Sequence, residues 1–296
     1  MTSSSLCLEP CGQVAVGNRL GEGIVWDCVA GAFVWTDIHE RRLFRLSWPG
    51  RELEEFALPH RLGSFALTSQ PACILAAFEQ GFAWYDLEST RCDWIARPQL
   101  PPGVRFNDGR VDRAGRFVAG TMVEDPVAAG SRRAGALFRL EETGVTTRLL
   151  DGIGITNALC WSPDGGTMYH ADSTVGVLNA YEYGAPPMPR RAITAVAAPA
   201  VPDGATVDAK GRIWVALWGG AAVGIHSAEG AMLETIDVPV SQPTCVALGG
   251  PDMDILAVTS AHDGLTRADR EREPGAGNVF FYATTANGLP ECRVAA

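Results

Sequence analysis

The stretch VPDGATVDAKGRIWVAL, Val201–Leu217, decides the fold. An Asp203-Gly204 pair opens a short alternating segment, and Asp208 closes it. The chain then turns at Lys210-Gly211, and a second alternating segment follows. Alternation of apolar and polar residues marks a half-buried strand, and glycine supplies the backbone angles of a tight reversal. The unit is strand, turn, strand.

The unit recurs along the chain. GEGIVWD (21–27), GSFALTS (63–69), FNDGRVD (106–112), TNALCWS (156–162), PDGATVD (202–208) and PTCVALG (243–249) read as first strands. Each precedes a partner: AFVWTDI (32–38), CILAAFE (73–79), RFVAGTM (116–122), TMYHADS (167–173), RIWVALW (212–218) and DILAVTS (254–260). The second residues of the first strands are Glu22, Ser64, Asn107, Asn157, Asp203 and Thr244, spaced about 40–50 residues apart. That period, with about four strands per unit, is the mark of a β-propeller blade. A blade cannot bury both of its faces alone, whereas a closed ring of blades can. No long segment follows a helical period. The sequence predicts an all-β, six-bladed β-propeller, with residues 1–296 forming a single domain. The leftover N-terminal strand QVAVGN (13–18) is placed as the piece that completes the last blade.

Composition excludes several classes. With 24 Lys+Arg against 34 Asp+Glu, the net charge is −10, and no basic stripe is present to bind nucleic acid. No apolar run approaches the ~18 residues of a membrane helix. The N-terminus lacks both a basic start and an apolar h-region, which points to a cytoplasmic protein. The eight cysteines are scattered and read as reduced, structural residues. Nothing resembles a Ser-His-Asp arrangement or a nucleophile elbow. The sequence carries no indication of oligomeric state.

Ring closure converts sequence distance into proximity. The opening residue of each innermost strand faces one mouth of the central channel, so Glu22, Asn107, Asn157 and Asp203 converge there, with Ser64 and Thr244 completing the ring. Taken singly, each is explicable as a turn or strand-entry residue. Together, carboxylate and amide oxygens without Cys or His describe a site for a hard divalent cation. Arg105 projects from the same mouth, a fixed fork suited to a carboxylate or to polyol oxygens. The loop 123–135 reads as a lid or as a passive surface loop, and His170 as a satisfied core histidine. Trp218 belongs to blade packing by default, with the pocket wall as its alternative.

Four ordered motifs carry a family resemblance: LGEGIVWD, RFNDGRVDRAGRFVAGTM, GITNALCWSPDGGTMYHADS and PDGATVDAKGRIWVALWGG. In them the chain resembles the senescence-marker-protein/gluconolactonase/luciferin-regenerating-enzyme-like family from about Gly21 to Val279. The resemblance implies a six-bladed propeller holding one divalent ion (calcium, zinc, manganese, magnesium or iron(II)). It implies Glu22, Asn157 and Asp203 as the metal ligands. It implies Arg105 and Asn107 as substrate contacts, which moves Asn107 out of the ligand set. An acidic substrate contact follows the GTM motif in some relatives, and Asp125 stands at that place here. ALWGG (216–220) is similar to bacterial sugar lactonases. The implied reaction is hydrolysis of a small-molecule sugar lactone, with the ion polarising the carbonyl and Asp203 as catalytic base. The alternatives are an aryl-ester or phosphotriester hydrolase on the same site, or a calcium-binding regulatory propeller without turnover.

Overall fold

The computed structural model describes residues 6–184 and 186–295. They form six four-stranded antiparallel sheets. The innermost strands are Gly21–Asp27, Leu62–Leu67, Val104–Val111, Thr156–Trp161, Val201–Val207 and Pro243–Gly249, in blades 1 to 6. Each packs against the next, and that of blade 6 returns to that of blade 1. The fold is therefore the predicted six-bladed propeller. Its core is a set of apolar layers between adjacent blades, such as Trp35, Phe44, Ala257 and Phe281 between blades 1 and 6.

The turn in the quoted stretch is clamped by Asp208. One carboxylate oxygen accepts the backbone N–H groups of Lys210 and Arg212, and the other accepts Arg212 Nε at 2.5 Å and Trp214 Nε1 at 3.0 Å. Asp112 does the same work in blade 3 with Ala114 and Arg116, and adds the Tyr183 hydroxyl. The frame repeats because the turn needs it. The opening residue varies because it serves the channel instead. All six innermost strands also break register at that opening, between Glu22 and Val25, Leu62 and Ser64, Phe106 and Gly109, Asn157 and Cys160, Pro202 and Ala205, and Pro243 and Val246. A bulge bends the strand and re-aims its side chain. Gly23 and Ala158 take left-handed φ angles of 62° and 53° there.

Blade 6 is closed by an N-terminal strand, but not the one expected. Leu8–Val14, rather than residues 13–18, pairs with Val279–Thr284, in a register running from Leu8↔Thr284 to Val14↔Val279. This strand lies on the outer edge of the blade and is largely exposed, so its alternation is weak. Pro10, which donates no hydrogen bond, is tolerated on such an edge. Val14 and Val16 still pack on the core between blades 1 and 6.

The opposite end of the channel is closed by the C-terminal segment. Ala209 N–H donates to the Asn287 carbonyl, and Asn287 Nδ2 to that of Asp252. Glu291 pairs with Arg110 at 3.4 Å. Arg293 reaches Asp27 and the Thr68 carbonyl, and Val294 N–H donates to the Leu67 carbonyl. Arg110 itself bridges the bore from blade 3, donating to the Ile24 and Ala205 carbonyls at 3.0 Å each.

Candidate metal and substrate site

At the open mouth lies a cavity of about 520 Å³. Glu22, Arg105, Asn107, Asn157 and Asp203 all line it, and each side chain belongs to a buried residue. The structure thus brings together residues separated by most of the chain. Ser64 and Thr244 are not part of the lining. Ser64 is fully buried against Gly109, where a Cβ would meet its Oγ at 2.5 Å. The Thr244 hydroxyl donates to the Gly21 carbonyl and is also in hydrogen-bond contact with the Thr259 hydroxyl. Both are small because innermost strands approach closely at those points.

The Glu22 and Asp203 carboxyls are both buried and act on each other directly. Burial, followed by the charge of Asp108 deeper in the channel, pushes the Glu22 carboxyl up to about 8. Burial, then Glu22 and Asp108, pushes Asp203 well above the carboxylate range. Two buried acids that cannot both ionise call for a cation between them. Among the described residues no group of three or more His, Cys, Asp and Glu side chains is arranged to hold a metal. The donor set here is mixed, two carboxyls and the amide oxygen of Asn157, and that oxygen chemistry fits a hard divalent ion.

The other side chains form one hydrogen-bonded arc. Arg105 donates through Nε to Glu124 at 2.7 Å and through Nη1 to Asn107 Oδ1 at 2.8 Å. Asn107 Nδ2 donates to the Thr156 carbonyl at 3.0 Å and to Asn157 Oδ1 at 3.2 Å. Asn157 Nδ2 donates to Ser173 Oγ at 2.8 Å, and the Ser173 hydroxyl to the Pro202 carbonyl at 2.7 Å.

Asp125 does not face this cavity. Its carboxylate accepts the N–H groups of Val127 and Ala128 at 2.9 and 3.0 Å, capping an exposed turn. The acidic residue at the rim is its neighbour Glu124, because the strand Phe117–Val123 ends just before it and the chain turns away after it. Of the loop 123–135, Val123 and Glu124 line the cavity. Trp218 forms part of its wall. His170 is buried, as expected, but its Nε2 has no hydrogen-bond partner among the described residues, and burial pushes its imidazole down to about 4.

Four contributors escaped the sequence reading. Ser173 and His39 line the cavity, and Arg19 pairs with Asp263 at 2.8 Å on its rim. They sit in the connections that flank the strands, outside the repeated position that exposed the others. Burial lowers the His39 imidazole and so favours its neutral form.

A six-bladed propeller with an oxygen-donor constellation at one mouth and an Arg–Asn pair beside it defines a class of small-molecule binding propellers. The chain belongs to the SMP-30/Gluconolactonase/LRE-like family, whose sequence pattern matches residues 20–262. It is 35% identical to an L-arabinolactonase of Azospirillum brasilense, over 97% of each chain. It is 33% identical to a pentonolactonase of Haloferax volcanii, over 93% of this chain and 94% of the other. Among solved structures, the calcium-binding protein regucalcin from Agrobacterium tumefaciens superposes with a TM-score of 0.86 at 31% identity, covering 95% of this chain and 96% of that one.

Proposed function

We propose that the protein hydrolyses a sugar lactone to its aldonic acid, with one divalent ion held by Glu22, Asn157 and Asp203. The observation that carries this reading is the buried Glu22–Asp203 pair in the same cavity as the Asn157 amide, with Arg105 and Asn107 alongside. The names of the two lactonase relatives favour a pentonolactone as the first substrate to test. Calcium, zinc, manganese, magnesium and iron(II) all accept such ligands. When bound, the ion would supply Lewis acidity at the lactone carbonyl.

The chain's own residues do the rest. A carboxylate oxygen of Asp203 takes a proton from water as the water oxygen bonds to the carbonyl carbon. The ring C–O bond then breaks, and the departing oxygen takes up a proton to become a hydroxyl. Water is added across one ester bond, with no change in oxidation state. Arg105, Asn107 and Glu124 hold sugar hydroxyls in the reactive orientation, which shortens the search for the attacking geometry. Glu124 replaces Asp125 in that role.

The test is a pH-drop assay on chelator-stripped protein over pentono- and hexonolactones, with each ion restored in turn. Ion-dependent turnover of an aldonolactone is the expected result. Turnover of aryl esters or phosphotriesters without lactones would replace this substrate class. Ion binding with no turnover of either would indicate a regulatory propeller.

A further inference from the structure

We infer that Ser173 is a positioning residue that fixes which way the Asn157 amide points, and so presents its oxygen to the cation. The inference rests on the ligand set proposed above. Its physical basis is the polarity of the hydrogen-bonded arc.

An amide side chain has a donor end and an acceptor end, and a 180° turn exchanges them with little change in shape. An amide that turned its NH2 group toward a cation would contribute no ligand. Something must therefore fix the orientation, and in this site both ends of the arc do. At one end stands Arg105, whose guanidinium can only donate. It therefore requires the oxygen of Asn107 at its Nη1, 2.8 Å away. That turns the Asn107 NH2 group toward the Thr156 carbonyl and Asn157 Oδ1.

At the other end stands the Pro202 carbonyl, which can only accept. The Ser173 hydroxyl has one hydrogen and directs it to that carbonyl at 2.7 Å. Its oxygen is left to accept, and it accepts from Asn157 Nδ2 at 2.8 Å. A reversed Asn157 would set its oxygen against a hydroxyl oxygen with no hydrogen to offer, and its NH2 group against that of Asn107. Both contacts would be repulsive. Two independent anchors thus impose the same orientation. Ser173 is 7% exposed. The carbonyl it holds also belongs to the residue before Asp203, which ties the amide ligand to the strand carrying a carboxylate ligand.

Groups that orient ligands in this way typically contribute about 10–100-fold to metal affinity. The experiment titrates Mn²⁺ into ion-free full-length protein and reads free Mn²⁺ by electron paramagnetic resonance, so no turnover is needed. Ser173→Ala should weaken Mn²⁺ binding by about 10–100-fold while leaving the melting temperature of the ion-free protein near that of wild type. Ser173→Thr, which keeps the hydroxyl, should restore most of the affinity, and Asn157→Ala should lose at least as much as Ser173→Ala. Wild-type affinity in Ser173→Ala, alongside a loss in Asn157→Ala, overturns the role of Ser173. So does a Thr variant as weak as the Ala variant. If Ser173→Ala does not fold, Ser173→Cys decides, since its thiol is a poor acceptor and should also bind Mn²⁺ weakly. Unaltered binding by Asn157→Ala would instead refute the ligand set itself.

Discussion

Arg61, just before the innermost strand of blade 2, grips both carboxylate oxygens of Glu124 on blade 3, at 2.8 and 3.0 Å. Its Nε meanwhile holds Glu79 at 2.8 Å. Burial pulls the Glu124 carboxyl upward, but the guanidiniums of Arg61 and Arg105 outweigh it and leave it below its ordinary value. Glu124 is thus a fixed anion at the rim, able to accept sugar hydroxyls across the neutral range. Arg61 does not line the cavity and acts through Glu124. Arg61→Ala should raise KM about tenfold with little change in kcat, the loss expected for one charge-assisted contact. An equal fall in kcat with KM unchanged would place the effect in the chemical step instead.

Glu124 and Asp125 can be separated by paired substitution. Glu124→Gln should raise KM for the lactone by about tenfold, since a neutral amide accepts more weakly than a carboxylate. Asp125→Ala should leave KM near wild type and cost about 0.5–2 kcal/mol of local turn stability, as for a lost cap. Steady-state kinetics on both variants gives the answer, and a KM effect confined to Asp125→Ala would reverse the assignment.

Removal of the base has two separable consequences. Asp203→Asn should lower kcat by about 10²–10⁴-fold. In ion-free protein it should leave the melting temperature near that of wild type, because burial already favours the neutral Asp203 carboxyl and the amide is likewise neutral and of the same shape. Calorimetry of ion-free Asp203→Asn tests the second point. A marked drop in its melting temperature would mean that the pair supports the fold.

The same pair sets a pH dependence. A carboxyl raised to about 8 in the ion-free fold binds its proton more tightly than in the unfolded chain. The ion-free protein should therefore lose stability as pH rises from the ordinary carboxylate value toward about 8. A cation reverses the trend by displacing the proton, so ion affinity should rise over that window and level off above it. Titration calorimetry at pH 7 in two buffers of different ionisation enthalpy should detect proton release on binding. Identical heats in the two buffers would show that Glu22 and Asp203 are already ionised.

The fold was legible because one physical constraint repeats. Every blade must turn after its innermost strand, and residues such as Asp112 and Asp208 perform that turn in the open view of the sequence. The channel-facing positions could be read for the same reason, since a bulge at a fixed place in each strand turns Glu22, Asn107, Asn157 and Asp203 inward. Ser64 and Thr244 occupy the same register but serve strand-to-strand contact, a distinction that depends on neighbours rather than on period. Glu124 rather than Asp125 lines the cavity because the end of a strand, which the apolar pattern defines poorly, decides which acid faces it. Ser173 and Arg61 left no signal. Their roles lie in the direction of hydrogen bonds between blades, and spacing along the chain does not encode direction.

The pairing of Leu8–Val14 with Val279–Thr284 has a consequence for biosynthesis. A ribosome emits the first of these strands long before the second exists, so the nascent polypeptide must hold an unmatched edge in waiting while five blades accumulate behind it. Shutting the circle is then among the last events of maturation. A product stalled before residue 279 would carry all of the cavity-lining side chains named above and still lack the strand pairing that locks the circle around them.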